Sequence, residues 1–187
     1  MTSATPKPHL ISPEEYLVFD AQSPEKNEYV DGEIHAMTGT TVRHNRISLD
    51  LALLLKNHLK GQPCETFIAD IKVHAVRANA FYYPDIVVRC NPDPLLDDAR
   101  VIDDPTLIIE VLSPSTEAID RREKLAAYRR IPSVQEYVMV AQDQRSVEIY
   151  RRQGDINWTY QAFTDDEAVT LSSVGLTLAM ASIYNPS

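Results

Sequence analysis

The sequence predicts an α/β fold in which helix, hairpin and helix lead into a group of strands, then a third helix and a strand meander. Three observations predict it. From Arg43 to about Lys60, Ile47, Leu51, Leu54, Leu55 and Leu59 recur at helical spacing. Two apolar runs at 82–89 and 106–112 have the length and composition of buried strands. In "YVDGEI" the pair Asp31-Gly32, a strong two-residue hairpin signal, sits between two short β-like runs.

In "SPEEY" Ser12 is an N-cap, Pro13 the first helical position and Glu15 the N3 acid of a capping box, which sets a helix from Pro13 to about Asp20. The hairpin occupies 27–37. Gly61 and Pro63 stop the amphipathic helix. In 66–76, Phe67, Ala69, Ile71, Val73 and Ala75 alternate with Ile68, Asp70, Lys72 and His74, the period of one strand with a core face and a mostly polar face. Strands at 82–89 and 106–112 follow. The second is apolar except for Glu110, as a central strand covered on both faces would be. A helix capped by Ser115 or Thr116 fills 114–133 and stops at Pro132. Residues 134–152 read as strand, polar turn and strand, 157–163 extends the meander, and the apolar segment 176–184 has no assignment by pattern. No repeat or linker interrupts the chain, so a single domain over 1–187 is expected, with 1–11 as a loosely ordered tail.

Composition narrows the function. The 44% hydrophobic and 24% charged fractions are ordinary for a globular chain. No stretch approaches the roughly 18 consecutive apolar residues of a bilayer span, and the N-terminus lacks an apolar signal core. A soluble, cytoplasmic protein without a membrane partner is expected. Cys64 and Cys90 lie far apart in sequence with no CxxC pair or histidine cluster nearby, so they are expected as two reduced thiols, Cys90 in packing. A net charge of −9 opposes binding nucleic acid by overall field alone, but leaves room for a local basic groove or a metal-bridged contact. With five glycines and no GxGxxG or P-loop, nucleotide-cofactor binding has no support, and "LSPST" is not a nucleophile elbow.

Two acids embedded in neighbouring apolar runs carry the chemistry. Asp85 follows Pro84 at the mouth of "YYPDIVVRC", and Glu110 interrupts "TLIIEVLSPST" on a face shared with Ile108 and Leu112. A buried carboxylate costs several kcal/mol unless it is paired, so Glu110 needs a cation. Lys72 or Arg89 would make that partner a structural ion pair, and an aspartate after a proline often serves only in a turn. If the strands are neighbours, the two carboxylates repel unless a cation sits between them. Hard oxygen donors in small number suit Mg²⁺ or Mn²⁺, which activates water and neutralises a phosphodiester. A lysine beside them would complete a hydrolytic nuclease site.

"YPDIVV", "IIEVLSPST" and "DRREKLAAYRRIPSVQEYVMV", together with "YVDGEI" and "RHNRIS", resemble the Uma-type family of restriction-endonuclease-like proteins, and the likeness spans most of the chain. The resemblance implies a PD-(D/E)xK core, a mixed β-sheet flanked by helices, and a Mg²⁺-dependent DNA endonuclease. Asp85 matches the PD aspartate and Glu110 the D/E position, implying that both hold the metal. The lysine expected two residues on is Leu112 here. Lys124 in the following helix matches the position from which this family supplies it, and Asp120, Lys124 and Tyr128 fall on one helix face. The plainer reading makes Lys124 a solvated partner of Asp120. Asp70, His44, Glu33 and Tyr128 are accessory candidates, and Arg43, Arg46, Arg121, Arg122, Arg129 and Arg130 are candidates for a phosphate groove or simply a solvated face. Cutting both strands of a duplex takes two sites, so a homodimer is expected. The alternative is a catalytically silent member of the same fold serving as a binding or assembly module.

Overall fold

Both predicted strand runs before residue 90 break in the middle, and the break builds the site. The computed structural model describes residues 10–184. β3 (Cys64–Ile68) and β4 (Lys72–Ala75) replace the single strand expected at 66–76. β5 (Ala80–Tyr82) and β6 (Ile86–Cys90) replace the one at 82–89. The two antiparallel runs change sheet at the same level, β3 with β6 in one sheet and β4 with β5 in the other. Ala69 takes the left-handed region at φ 33°, and its N–H bonds the Asp85 carbonyl at 3.2 Å. Pro84, without an N–H, occupies the matching bend. Alternation continues through such a kink, which is why periodicity does not reveal it.

α1 (Pro13–Gln22) carries the expected capping box in both directions, Ser12 with Glu15. β1 (Asn27–Val30) and β2 (Glu33–Ala36) form the hairpin, with Asp31 and Gly32 both at positive φ as a type I′ turn requires. Residues 1–9 of the expected tail lie outside the described residues. Ile11 is held, its N–H on the Gly32 carbonyl and its carbonyl accepting the Tyr29 hydroxyl. Helix α2 (Val42–His58) follows the prediction to within two residues. With β7 (Val101–Ile102), the smaller sheet runs β2-β1-β5-β4-β7.

The larger sheet has the order β11-β10-β9-β8-β6-β3, with β8 (Leu107–Leu112) parallel to β9 (Glu136–Ala141) and the other pairs antiparallel. β10 (Ser146–Gln153) and β11 (Asn157–Thr164) are the meander. All six residues of β8 are buried, as its composition predicts. One face packs Ile109 and Val111 against Ile47, Leu51 and Leu55 of α2; the other packs Ile108 and Leu112 against Ala127, Tyr128 and Tyr137. Each such aliphatic burial contributes about 1.5–3 kcal/mol. A helix spans 117–128, shorter than the expected 114–133, with Asp120–Lys124 wound as a π-helix. The unassigned tail is β13 (Leu176–Ala179), paired with β12 (Ala168–Leu171), and a final helix Met180–Tyr184. No described helix is long and apolar enough to cross a membrane.

The reduced-thiol expectation is corrected. Cys64 and Cys90 are opposite residues of the β3–β6 ladder and form a disulfide, with Cα atoms 4.0 Å apart. Separation in sequence says nothing about partners across an antiparallel pair. Closing this 26-residue span should contribute about 3 kcal/mol. The paired Cys64→Ala and Cys90→Ala variant is therefore expected to unfold at lower urea with a larger m-value, because its unfolded chain is no longer cross-linked, and an unchanged midpoint would contradict the pairing.

Candidate active site

Asp85 stands in the bend between β5 and β6. Its Oδ2 accepts the Val111 N–H at 2.8 Å and lies 3.1 Å from His44 Nε2. Its own N–H points to Glu110 Oε2 at 3.4 Å, so the two acids are side by side. Glu110 uses Oε1 to accept both Lys124 Nζ and the Tyr128 hydroxyl, each at 3.1 Å. Lys124 Nζ also lies 3.1 Å from Glu28 Oε1 and 3.3 Å from Asp120 Oδ1. Three carboxylates thus surround one ammonium.

Local structure explains each placement. The 117–128 helix covers the β8 face that carries Glu110, with Asp120, Lys124 and Tyr128 turned toward it. The π-wound stretch bears both Asp120 and Lys124, and the Asp120 carbonyl accepts the Tyr137 hydroxyl at 3.1 Å. Thr41 caps α2, its hydroxyl accepting the His44 N–H and donating to Gln142 Oε1, which fixes His44 in the first helical turn. A cleft of about 540 Å³ opens onto His44, Asp85, Glu110 and Lys124, with Ser113 and Thr116 also lining it.

Charge in the cleft is unbalanced. Glu28, Asp85, Glu110 and Asp120 face Lys124 and His44. Burial pushes Glu110 well above the ordinary carboxylate range; Lys124 opposes this, while Asp120, Asp85 and Glu28 add to it. Burial likewise raises Asp120. Burial would lower Lys124, but the charges of Glu110, Glu28 and Asp120 outweigh it and hold the ammonium protonated. His44 is raised in the same way, burial being outweighed chiefly by Asp85, with the Val111 backbone adding to it.

Among the described residues no three His, Cys, Asp or Glu side chains form a ligand cage. The donors that fit a divalent ion are the pair Asp85 and Glu110. Asp85 takes both of its contacts on Oδ2, and Glu110 Oε2 holds only the long Asp85 N–H. Two hard oxygen donors with room for water match the habit of Mg²⁺, which keeps several waters.

The model of a family described as "Putative restriction endonuclease", Uma2, matches residues 13–181. The chain belongs to the Uma2 family. Two uncharacterized Synechocystis sp. (strain ATCC 27184 / PCC 6803 / Kazusa) proteins, slr1290 and sll1609, are similar to it. The first is 38% identical, over 93% of this chain and 91% of its own length; the second is 33% identical, over 84% and 89%. A crystal structure described as "a putative nuclease belonging to DUF820" from Anabaena variabilis ATCC 29413 shares the fold, at TM-score 0.77 and 20% identity, covering 93% of this chain and 97% of that one. The restriction-endonuclease-like core expected from sequence is therefore the fold of this Uma2 chain.

Of the predicted site residues, Asp85, Glu110, Lys124, His44 and Tyr128 converge. Asp70 and Glu33 do not. Asp70 sits in the β3–β4 bend, largely exposed, and pairs with Lys26. Glu33 is on β2, an edge strand of its sheet, exposed and 4.0 Å from His35 Nε2. The acid the hairpin supplies is Glu28, one strand further in on β1, whose Oε1 also accepts the Tyr83 N–H at 3.1 Å. Its signal was available in the alternation of β1, where Tyr29 turns into the aromatic cluster with Tyr16 and Phe81 and so sends Glu28 to the other face. The structural alternatives for Glu110 are taken elsewhere, Lys72 by Asp20 at 2.8 Å and Arg89 by Asp104 at 2.6 Å.

Removing the shared cation should cost more than removing one acid. Lys124→Ala strands the buried Glu110 and Asp120 and the half-buried Glu28, and is expected to lose about 3–5 kcal/mol in urea unfolding. Glu110→Gln keeps an acceptor for Lys124 and Tyr128 but discards the desolvated charge. Because the folded pKa of Glu110 is raised, the folded state binds more protons than the unfolded one, and wild-type stability declines as pH rises above the ordinary carboxylate range. Without divalent ions, Glu110→Gln should therefore gain on the wild type between pH 5 and 8, by about 1 kcal/mol. A pH-independent difference in melting temperature would contradict this.

Proposed function

We propose that this chain is a metal-dependent DNA endonuclease, acting as one domain and as a homodimer, that hydrolyses phosphodiester bonds at the Glu110 cleft. The observation that carries the reading is the pair of adjacent acids, one buried and one at the cleft mouth, joined to a lysine on the Glu110 carboxylate. Membership of Uma2, whose description names a restriction endonuclease, supports the reaction class, and restriction-endonuclease-like proteins generally use divalent metals.

In this proposal Asp85 and Glu110 hold Mg²⁺ or Mn²⁺. When bound, that ion supplies a water of lowered pKa and neutralises charge on the scissile phosphate. The remaining work falls to the chain itself. Lys124, kept charged by Glu28, Glu110 and Asp120, orients the attacking water and offsets negative charge that develops on the phosphate. Its position is fixed from three directions, so little reorganisation is needed at the moment of reaction. Tyr128 holds Glu110 Oε1, and His44 with the Val111 N–H fixes Asp85. Arg43 and Arg46, on the first turns of α2 around His44, line a separate cleft of about 390 Å³ together with Asp50 and Asp143, and are the cations on α2 that could meet the backbone despite the acidic whole. Arg121 does not join them, being clasped by Glu148 and Glu117.

Nicking of supercoiled DNA in Mg²⁺ or Mn²⁺ tests the proposal. Asp85→Ala and Glu110→Gln should each lower the rate at least 100-fold while keeping a folded chain, and Lys124→Met should do so without abolishing metal binding. Equal nicking by wild type and all three variants would assign the activity to a contaminant and leave the fold as a binding or assembly module.

A further inference from the structure

We infer that a second cleft, lined by Arg77, Arg129, Arg130, Arg152 and Trp158, binds a single-stranded segment of nucleic acid. This occupant rests on the nuclease reading, but the cleft shares no lining residue with the Glu110 site. It measures about 650 Å³ and lies between the turn after β4, the end of the 117–128 helix and the β10–β11 hairpin tip. Asp155 is the one carboxylate on a lining that carries four guanidinium groups, in a chain whose net charge is −9.

The four arginines have different tasks. Arg152 spends its donors on carbonyl oxygens, those of Val134 at 2.6 Å, Ile131 at 2.7 Å, Asp155 at 2.9 Å and Arg129 at 3.1 Å. It lies opposite Trp158 in the β10–β11 ladder with its guanidinium 4.6 Å from the ring centroid, so it fixes the indole and the loops around it. Arg77, Arg129 and Arg130 are exposed, and among the described residues none has a carboxylate within ion-pair distance. Arg129 stands 5.6 Å from the Trp158 ring. Planar forks with no acid of their own match phosphate oxygens in geometry and charge. An indole held at the same wall offers a stacking surface for a base, which is the arrangement of single-strand binders. Of the arginines singled out in the sequence, Arg43 and Arg46 flank His44 and Arg129 and Arg130 stand here, while Arg121 is held by Glu148 and Glu117 and Arg122 lines neither cleft.

Trp158 is the only tryptophan of the chain, so its emission reads this cleft directly. Titrating the whole protein with a short oligothymidylate at low salt, with chelator and no divalent ion, should quench the emission. The affinity should fall with salt at a slope of about −2, as three phosphate contacts on a single strand require. Arg77→Ala, Arg129→Ala and Arg130→Ala combined should abolish the quench with an unchanged melting temperature, and Asp85→Asn should leave it intact. Quenching that survives the triple substitution, no quenching of the wild type, or equal quenching by heparin fragments would overturn the assignment. Quenching without any Mg²⁺-dependent cleavage would sink the nuclease reading and leave this site standing; cleavage without quenching would do the reverse.

Discussion

One ammonium held by three acids governs the arrangement of this protein. Lys124 sits within 3.3 Å of Glu28, Glu110 and Asp120, which come from the hairpin, the central strand and the helix that bears the lysine itself. Each of these elements is thereby tied to the others through a group taken out of water. Such a cluster is costly to assemble, because every charge loses hydration, and it is costlier to break, because any member left alone is uncompensated. Tyr128 and Tyr137 add hydrogen bonds around it, one to the Glu110 carboxylate and one to the Asp120 backbone carbonyl. The cluster still holds more negative than positive charge, and that surplus opens toward the cleft through Asp85 and Glu110.

The second constraint is the shared break in two paired strands. β3–β4 and β5–β6 leave one sheet and enter the other at Ala69 and Pro84, and the opening between the sheets is where Asp85 stands. A continuous strand would have placed this aspartate in a ladder, with its neighbours' side chains above and below it. Interruption instead lets its carboxylate reach the Val111 N–H at the edge of β8 and lets its own N–H address Glu110. The proline before the aspartate thus has a structural role, since it marks the bend at which a backbone donor is not required.

Much of this was legible in the sequence, for identifiable reasons. Ser12, Asp31-Gly32 and the α2 stripe carry local signals whose physics is contained within a few residues, and those elements form as read. Glu110 was legible because a lone acid in an apolar strand demands a partner; Lys124 was named through the family resemblance, and helical spacing only allowed it to share a face with Asp120 and Tyr128. What was hidden depends on contacts remote in sequence. The Cys64–Cys90 bond needs the β3–β6 register, and the sheet change at Ala69 leaves the alternation of residue types intact. Choosing Glu28 over Glu33 needs the order of strands in the smaller sheet, in which β1 is interior and β2 is the edge.

The central claim is that the surplus carboxylates at this cleft are a place for a divalent cation. Mn²⁺ binding by electron paramagnetic resonance, on the wild type, Asp85→Asn and Glu110→Gln, addresses it without depending on catalysis. The account predicts saturable binding by the wild type that Mg²⁺ competes away and that either substitution weakens at least tenfold. No binding by the wild type with or without DNA, or binding that both variants retain, would contradict it and make the acids a structural cluster alone.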